Sequence, residues 1–195
     1  GIYVRGGGPD QNLILLDGVP VYNVNHLFGF FSVFNGDALS DVSIIKGGFP
    51  ARYGGRLSSV LDIRMKEGNM YNYKADISMG LIASRATIEG PIIKGKSSFI
   101  ISARRTYLDL IAYPALVLYN KLSKNPSPIT AGYFFHDFNA KLNYKFSDKD
   151  RLYFSFYGGT DKLYVNSKHH FGVDNQTVSS TDKFNLNWGN FVAAL

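Results

Sequence analysis

Histidines, spaced carboxylates and glycine-rich turns are the residues of this sequence that could do chemistry. His169 and His170 stand side by side with Asp174 close behind, a composition able to touch a metal chelate or another ligand. Neighbours on an extended chain point to opposite faces, so the two imidazoles do not form a joint metal site. They read as candidate ligand contacts in a solvated loop, and no metal is assigned. His26 and His136 lie in unrelated contexts, with no nucleophile-elbow motif near any serine, so no Ser-His-Asp arrangement can be argued. Asp148 and Asp150 flank Lys149, which is the pattern of a polar hairpin turn rather than of an acid/base pair. Gly6, Gly7 and Gly8 lack the GxGxxG spacing and the following helix of a phosphate cradle, and read as a turn. No catalytic residue and no cofactor emerge, and the expectation is a protein that is not an enzyme.

The elements that carry these residues follow from composition. The chain has 195 residues with 21 Lys+Arg against 15 Asp+Glu, a net charge of +6, and no cysteine, which excludes disulfide frameworks and Cys-ligated metals. Aromatic residues make up 15%, yet mean hydropathy is only -0.08, a mixture that suits strands with one apolar and one polar face. Basic residues are scattered without an RNP-type motif or stripe, so nucleic acid is not an expected partner. The longest apolar stretch, Leu110 to Tyr119, contains Pro114 and falls short of the roughly 20 residues that a membrane helix needs. The chain opens on IYVRGGG rather than on Met and an apolar leader, and is expected to be an internal piece of a longer polypeptide.

A boundary is expected near residue 69. The first 68 residues are neutral and hold 12 of the 20 glycines; the whole excess charge lies downstream. Upstream, short apolar runs (NLILLDGVPV, DVSIIKGG, SSVLDIRM) alternate with turn residues, which predicts short strands in a mixed sheet. Asp17-Gly18 predicts a hairpin turn, and Asn35 and Asp37 are N-caps for one helical turn. Downstream, alternation is sustained: Phe134, Phe138, Ala140, Leu142, Tyr144 and Phe146 on one face, Asp137, Asn139, Lys141, Asn143 and Lys145 on the other. Six long strands are predicted. Connections are short at Ala83–Ser84, Gly90–Lys96 and Ser147–Asp150, and long at Asp109–Gly132 and Val165–Thr181, so the later strands have short turns at one end and long loops at the other, as transmembrane barrels do. Tyr133, Phe134, Phe135, Tyr153, Tyr157 and Tyr164 fall near strand ends, where aromatic girdles sit.

RGGGPDQNLILLDGVPVYN, the DxLSDVSIIKGG stretch from Asp37 to Gly48, and FPARYGGRLSSVLDIRMKEGN together resemble the C-terminal part of the plug of TonB-dependent outer-membrane receptors, in flavour those of Bacteroidetes. The resemblance implies residues 1–69 as the C-terminal part of a small α+β plug and residues 70–195 as the first six or so strands of a transmembrane β-barrel of about 22 strands, all-β overall. It implies active import across the outer membrane of a Gram-negative bacterium, energised by TonB, whose contact segment lies ahead of residue 1. The plug motif and gating residues it implies are Arg5, Gly6, Gly7, Asp17, Gly18, Lys46, Gly47, Gly48, Arg52, Tyr53, Gly54, Gly55 and Arg56. Arg52 and Arg56 are read either as buried partners of barrel-wall carboxylates or as solvated arginines at a strand-turn junction. Other expected partners are outer-membrane lipid and a surface lipoprotein or another outer-membrane protein, since the connection YLDLIAYPALVLYNKL is apolar for an exposed loop. Two alternatives stand beside import: a barrel that acts mainly as a docking scaffold, and a soluble all-β binding protein.

Overall fold

A computed structural model describes the chain except for residues 1, 2, 5, 23, 27, 28, 30, 51, 52, 56, 57, 123–126, 174 and 175; at 9, 31, 170–173 and 176–178 it describes the backbone alone. Among the described residues the fold is mostly β, with one α-helix. Strands β1 (Asn12–Leu16), β2 (Val19–Pro20), β5 (Leu39–Ile45) and β6 (Ser59–Met65) form a mixed sheet in the order β2-β1-β6-β5, and β3 (Asn25–His26) pairs with β4 (Phe31–Ser32). β1 is central and parallel to β6, which explains the apolar run LILL that follows Asn12: both faces are covered. Between β1 and β2 the Asp-Gly turn forms as expected, with Asp17 at φ 47° and Gly18 at φ 83°. Asn35 caps a single 3-10 turn at Gly36–Ala38 by accepting the Asp37 N–H.

The second sheet is antiparallel and follows chain order: β7 (Lys74–Met79), β8 (Ala83–Ile93), β9 (Ser97–Thr106), β10 (Ile129–Lys145), β11 (Arg151–Val173) and β12 (Gln176–Ala194). Its edges, β7 and β12, do not pair with each other. On β10 the polar residues Asp137, Asn139, Lys141 and Asn143 are buried against the N-terminal unit, while Phe138, Leu142 and Tyr144 are exposed on the outer face. Ile77, Met79, Ile88, Ile101, Leu152 and Phe154 continue that exposed outer face across the sheet. A soluble fold buries its apolar stripe; this sheet buries its polar one.

Two expected long loops are not loops. β9 ends at Thr106, and residues Leu108–Leu122 form helix α1 with Pro114 inside it: an apolar stretch too short to span a membrane is still long enough for about four helical turns. The expected loop Val165–Thr181 is instead the continuation of β11 and the start of β12, in unbroken register from Ser155 opposite Ala194 to Val173 opposite Gln176. Here the polar composition (NSKHH, STDK) concealed strands whose backbone bonds are satisfied by each other.

Candidate functional site

Where the two sheets meet, polar residues of the N-terminal unit are locked to the inner face of the second sheet. His26, on the two-residue strand β3, is 1% exposed. Its Nε2 lies 2.6 Å from Asp137 Oδ1 and its Nδ1 2.5 Å from Asp161 Oδ2. A carboxylate accepts hydrogen bonds, so the arrangement fits a doubly protonated ring that donates from both nitrogens. Burial pulls its pKa down, but the hydrogen bonds and negative charge of Asp137 and Asp161 outweigh this, and the pKa is raised above its ordinary value of 6.5. The imidazole stacks on Phe135 with centroids 4.0 Å apart and planes 4° from parallel.

Every oxygen of the two carboxylates is engaged. Arg104 donates through Nε at 2.7 Å, and also through Nη2, to Asp137 Oδ2, and Nη2 reaches the Ser32 carbonyl on β4 at 2.7 Å. Tyr157 donates to Asp137 Oδ1 at 3.1 Å, and Tyr133 donates to Asp161 Oδ1. Two cations balance two anions, so a cluster this deeply buried carries no net charge. Gly159 makes the room: a Cβ there would lie 2.1 Å from the Tyr157 hydroxyl and 2.9 Å from Asp137 Oδ1.

A second lock lies nearer the short turns. Lys141, on β10, donates to Asp17 Oδ1 at 3.1 Å and to the Met65 carbonyl at 3.2 Å, with both charged side chains buried. Asp17 Oδ1 also accepts the Met65 N–H at 3.1 Å, while Oδ2 is buried without a hydrogen-bond partner among the described residues. The pair borders a cleft of about 600 Å³ that Asp62, Arg64, Glu67 and Tyr153 also line. Further links are Arg85 Nε to Asp37 Oδ2 at 2.7 Å, Asn35 Nδ2 to Ser102 Oγ at 2.7 Å, and Asn143 Nδ2 to Glu67 Oε2 at 2.9 Å. Tyr157 and Val192 of the second sheet also pack on the apolar core of the first, around Leu16, Val33 and Ile63.

Comparison with known proteins places this N-terminal unit. Residues 1–59 match the TonB-dependent receptor plug domain. The chain as a whole is similar in fold to the crystal structure of the siderophore receptor PirA from Acinetobacter baumannii, with a TM-score of 0.52 and 14% identity over 95% of this chain and 33% of that one. The chain thus spans a third of the length of the structure it resembles. No curated protein matches it in sequence.

With the N-terminal unit and the sheet it rests on described, the residues singled out from sequence sort as follows. Arg5, Arg52 and Arg56 lie outside the described residues. Gly6 (φ 76°) turns the chain beside the Val4–Gly7 bridge, Gly47 (φ 78°) and Gly48 (φ 62°) turn it after β5 beside exposed Lys46, and Gly54 and Gly55 (φ 83°) lead towards β6. Tyr53 donates to Asp62 Oδ2 at 3.5 Å. Of the described members of the set, Asp17 joins the N-terminal unit to the second sheet, through Lys141. His169 is in β11, not in a loop, and contacts Ser127 Oγ at 2.8 Å and Asp182 Oδ2 at 3.2 Å; the side chain of His170 is outside the described atoms, as is Asp174 altogether.

The expected girdle is also corrected. Phe134 shares the outer face with Lys162, and Tyr164 with Gly132, but Tyr133, Phe135 and Tyr157 point inward and build the lock around His26, and Tyr153 receives the Lys141 ammonium 4.6 Å from its ring centre. Sequence reasoning missed His26 itself. Its partners are 111 and 135 residues away, and no local spacing links them to it.

Proposed function

We propose that this chain is the C-terminal part of a plug, residues 1–69, with the first strands of its transmembrane β-barrel, residues 70–195, from a longer TonB-dependent importer of the Gram-negative outer membrane, of the Bacteroidetes type. What carries the reading is the inversion of the second sheet: an exposed apolar outer face and a buried polar inner face locked onto the plug. From the His136 row to the Tyr144 row the apolar belt measures about 27 Å along the strand at about 3.4 Å per residue. At a tilt of about 40° this is about 20 Å of membrane normal, close to the about 25 Å of outer-membrane barrels.

The locks suit a gate. A buried ion pair adds little net stability over an apolar contact, yet separating one partner costs several kcal/mol, so the plug is held sharply in one position and released as a step. Pulling by TonB would separate His26, Asp17 and Asp37 from Asp137, Asp161, Lys141 and Arg85. The siderophore specificity of PirA makes ferric siderophores the first class to try.

A second reading, a barrel that docks a partner protein, is favoured by α1, whose Leu110, Ile111, Tyr113, Leu118 and Leu122 are all exposed. The deciding experiment extracts the full-length protein from outer membranes, tests detergent dependence and heat-modifiable mobility, then measures uptake of ferric siderophores, cobalamin and oligosaccharides with and without TonB. TonB-dependent uptake of any of these supports import. A heat-modifiable barrel that transports none of them but co-purifies a partner supports docking, and a freely soluble monomer refutes both.

A further inference from the structure

Above the apolar belt, the outer face of the second sheet changes character. Register is unbroken along β10, β11 and β12, so residues opposite one another share a face. The row Arg105, His136, Thr160 and Gly189 closes the belt. Beyond it, Lys162 stands opposite Phe134 and Asn187, Lys183 opposite Asn166, and Lys168 opposite Thr181, all exposed on that outer face. None of the three lysines has an ion-pair partner among the described residues. Arg105 sits over Phe134 at 4.9 Å, with Asp109 3.5 Å away. No other acidic side chain is described on this part of the outer face; Asp182 is on the inner face with His169. At the opposite rim Lys145 has a local counter-charge in Asp148 at 2.5 Å, and Arg151 has one in Glu67 at 3.3 Å.

We propose that this outer face binds an anionic glycolipid of the surrounding leaflet, with phosphate at the level of Arg105 and Lys162 and further acidic groups along Lys183 and Lys168. The inference rests on the membrane reading above. Height selects the ligand. Lys168 lies eight residues beyond the His136 row, about 27 Å along the strand at about 3.4 Å per residue, which at a tilt of about 40° is about 20 Å of height. A phospholipid headgroup layer is only about 5–8 Å thick, so a single phosphate at the belt edge would leave Lys183 and Lys168 without a counter-charge. A phosphorylated lipid carrying several acidic sugars spans the whole ladder.

The test compares the full-length protein with its Lys162→Gln/Lys168→Gln/Lys183→Gln variant. Both are purified from outer membranes, exchanged into mild detergent, and assayed by mass spectrometry for retained lipopolysaccharide, then for rebinding of added lipopolysaccharide in competition with phosphatidylglycerol. Each lysine beside an anionic lipid surface is worth about fivefold in affinity, so the variant should retain at least about tenfold less even after salt screening. The Lys→Arg version should retain as much as the wild type. Equal retention by the Gln variant, or displacement by equimolar phosphatidylglycerol, overturns the inference while leaving the transporter reading intact. Heat-modifiable mobility is read on every sample: its absence in the wild type sinks the membrane reading and this inference together, and its loss in the Gln variant alone, with the Arg variant also failing to retain glycolipid, counts against the site.

Discussion

Removing His26 is the sharpest test of the plug lock. In His26→Ala, Asp137 and Asp161 lose the cation that bridges them, and Arg104 alone, 14% exposed in its side chain, faces two buried carboxylates. Taking one partner from a buried charge pair costs about 3–5 kcal/mol. Because the missing contacts join plug to wall, the cost falls on plug seating rather than on the β10–β11 ladder. Hydrogen exchange reads such local opening directly: amides of the plug core, such as the Val33 N–H bonded to the Val24 carbonyl, should exchange about 100- to 4,000-fold faster, while β10 and β11 amides keep their protection. Adding Asp161→Asn to His26→Ala removes the surplus charge and should restore much of the loss. The pH dependence has a definite sign. A histidine whose pKa is raised on folding stabilises fully below its unfolded value of 6.5, and that stabilisation is lost as pH rises through the folded value. Plug protection, corrected for intrinsic exchange, should therefore fall as pH rises above the ordinary histidine value of 6.5, and His26→Gln should flatten the profile. Unchanged plug exchange in His26→Ala, or a plug that loosens on acidification through this range, would refute the reasoning.

Three further outcomes are expected. Lys141→Met strands Asp17, whose Oδ2 already lacks a partner among the described residues, and should loosen the plug by about 3–5 kcal/mol in the same exchange assay; the double variant with Asp17→Asn should recover most of it. Gly159→Ala drives a methyl into the Tyr157 hydroxyl and Asp137, and should cost about 1–3 kcal/mol of plug seating, visible as lower urea resistance of the plug with the barrel still heat-modifiable. Phe138→Arg puts a charge in the middle of the apolar belt and should cost about 2–4 kcal/mol of folding into bilayers, whereas Asn187→Arg, above the belt on the same face, should cost close to nothing; equal costs at the two sites would place the belt elsewhere.

Local patterns were legible without coordinates because their causes are local. The Asp17-Gly18 turn, the Asn35 cap and the two-faced strand from Phe134 each follow from residues within a few positions of one another, and all three form, the strand ending at Lys145, one residue short of Phe146. Alternation, however, defines two faces without saying which one meets lipid. On β10 the apolar residues Phe138 and Leu142 face outward, but on β12 the equally apolar Leu186 and Trp188 pair with Leu163 and Asp161 and so face inward, while Asn185 and Asn187 face out. Only the register between strands, fixed by a hairpin whose polar sequence looked like a loop, decides this. The same holds for α1, where an apolar stretch too short for a membrane span turned out helical beside β10. It holds most of all for His26: composition supplied an isolated imidazole and a few scattered carboxylates, and their union depends on a plug seated against a wall more than a hundred residues away, where burial makes each charge need the other.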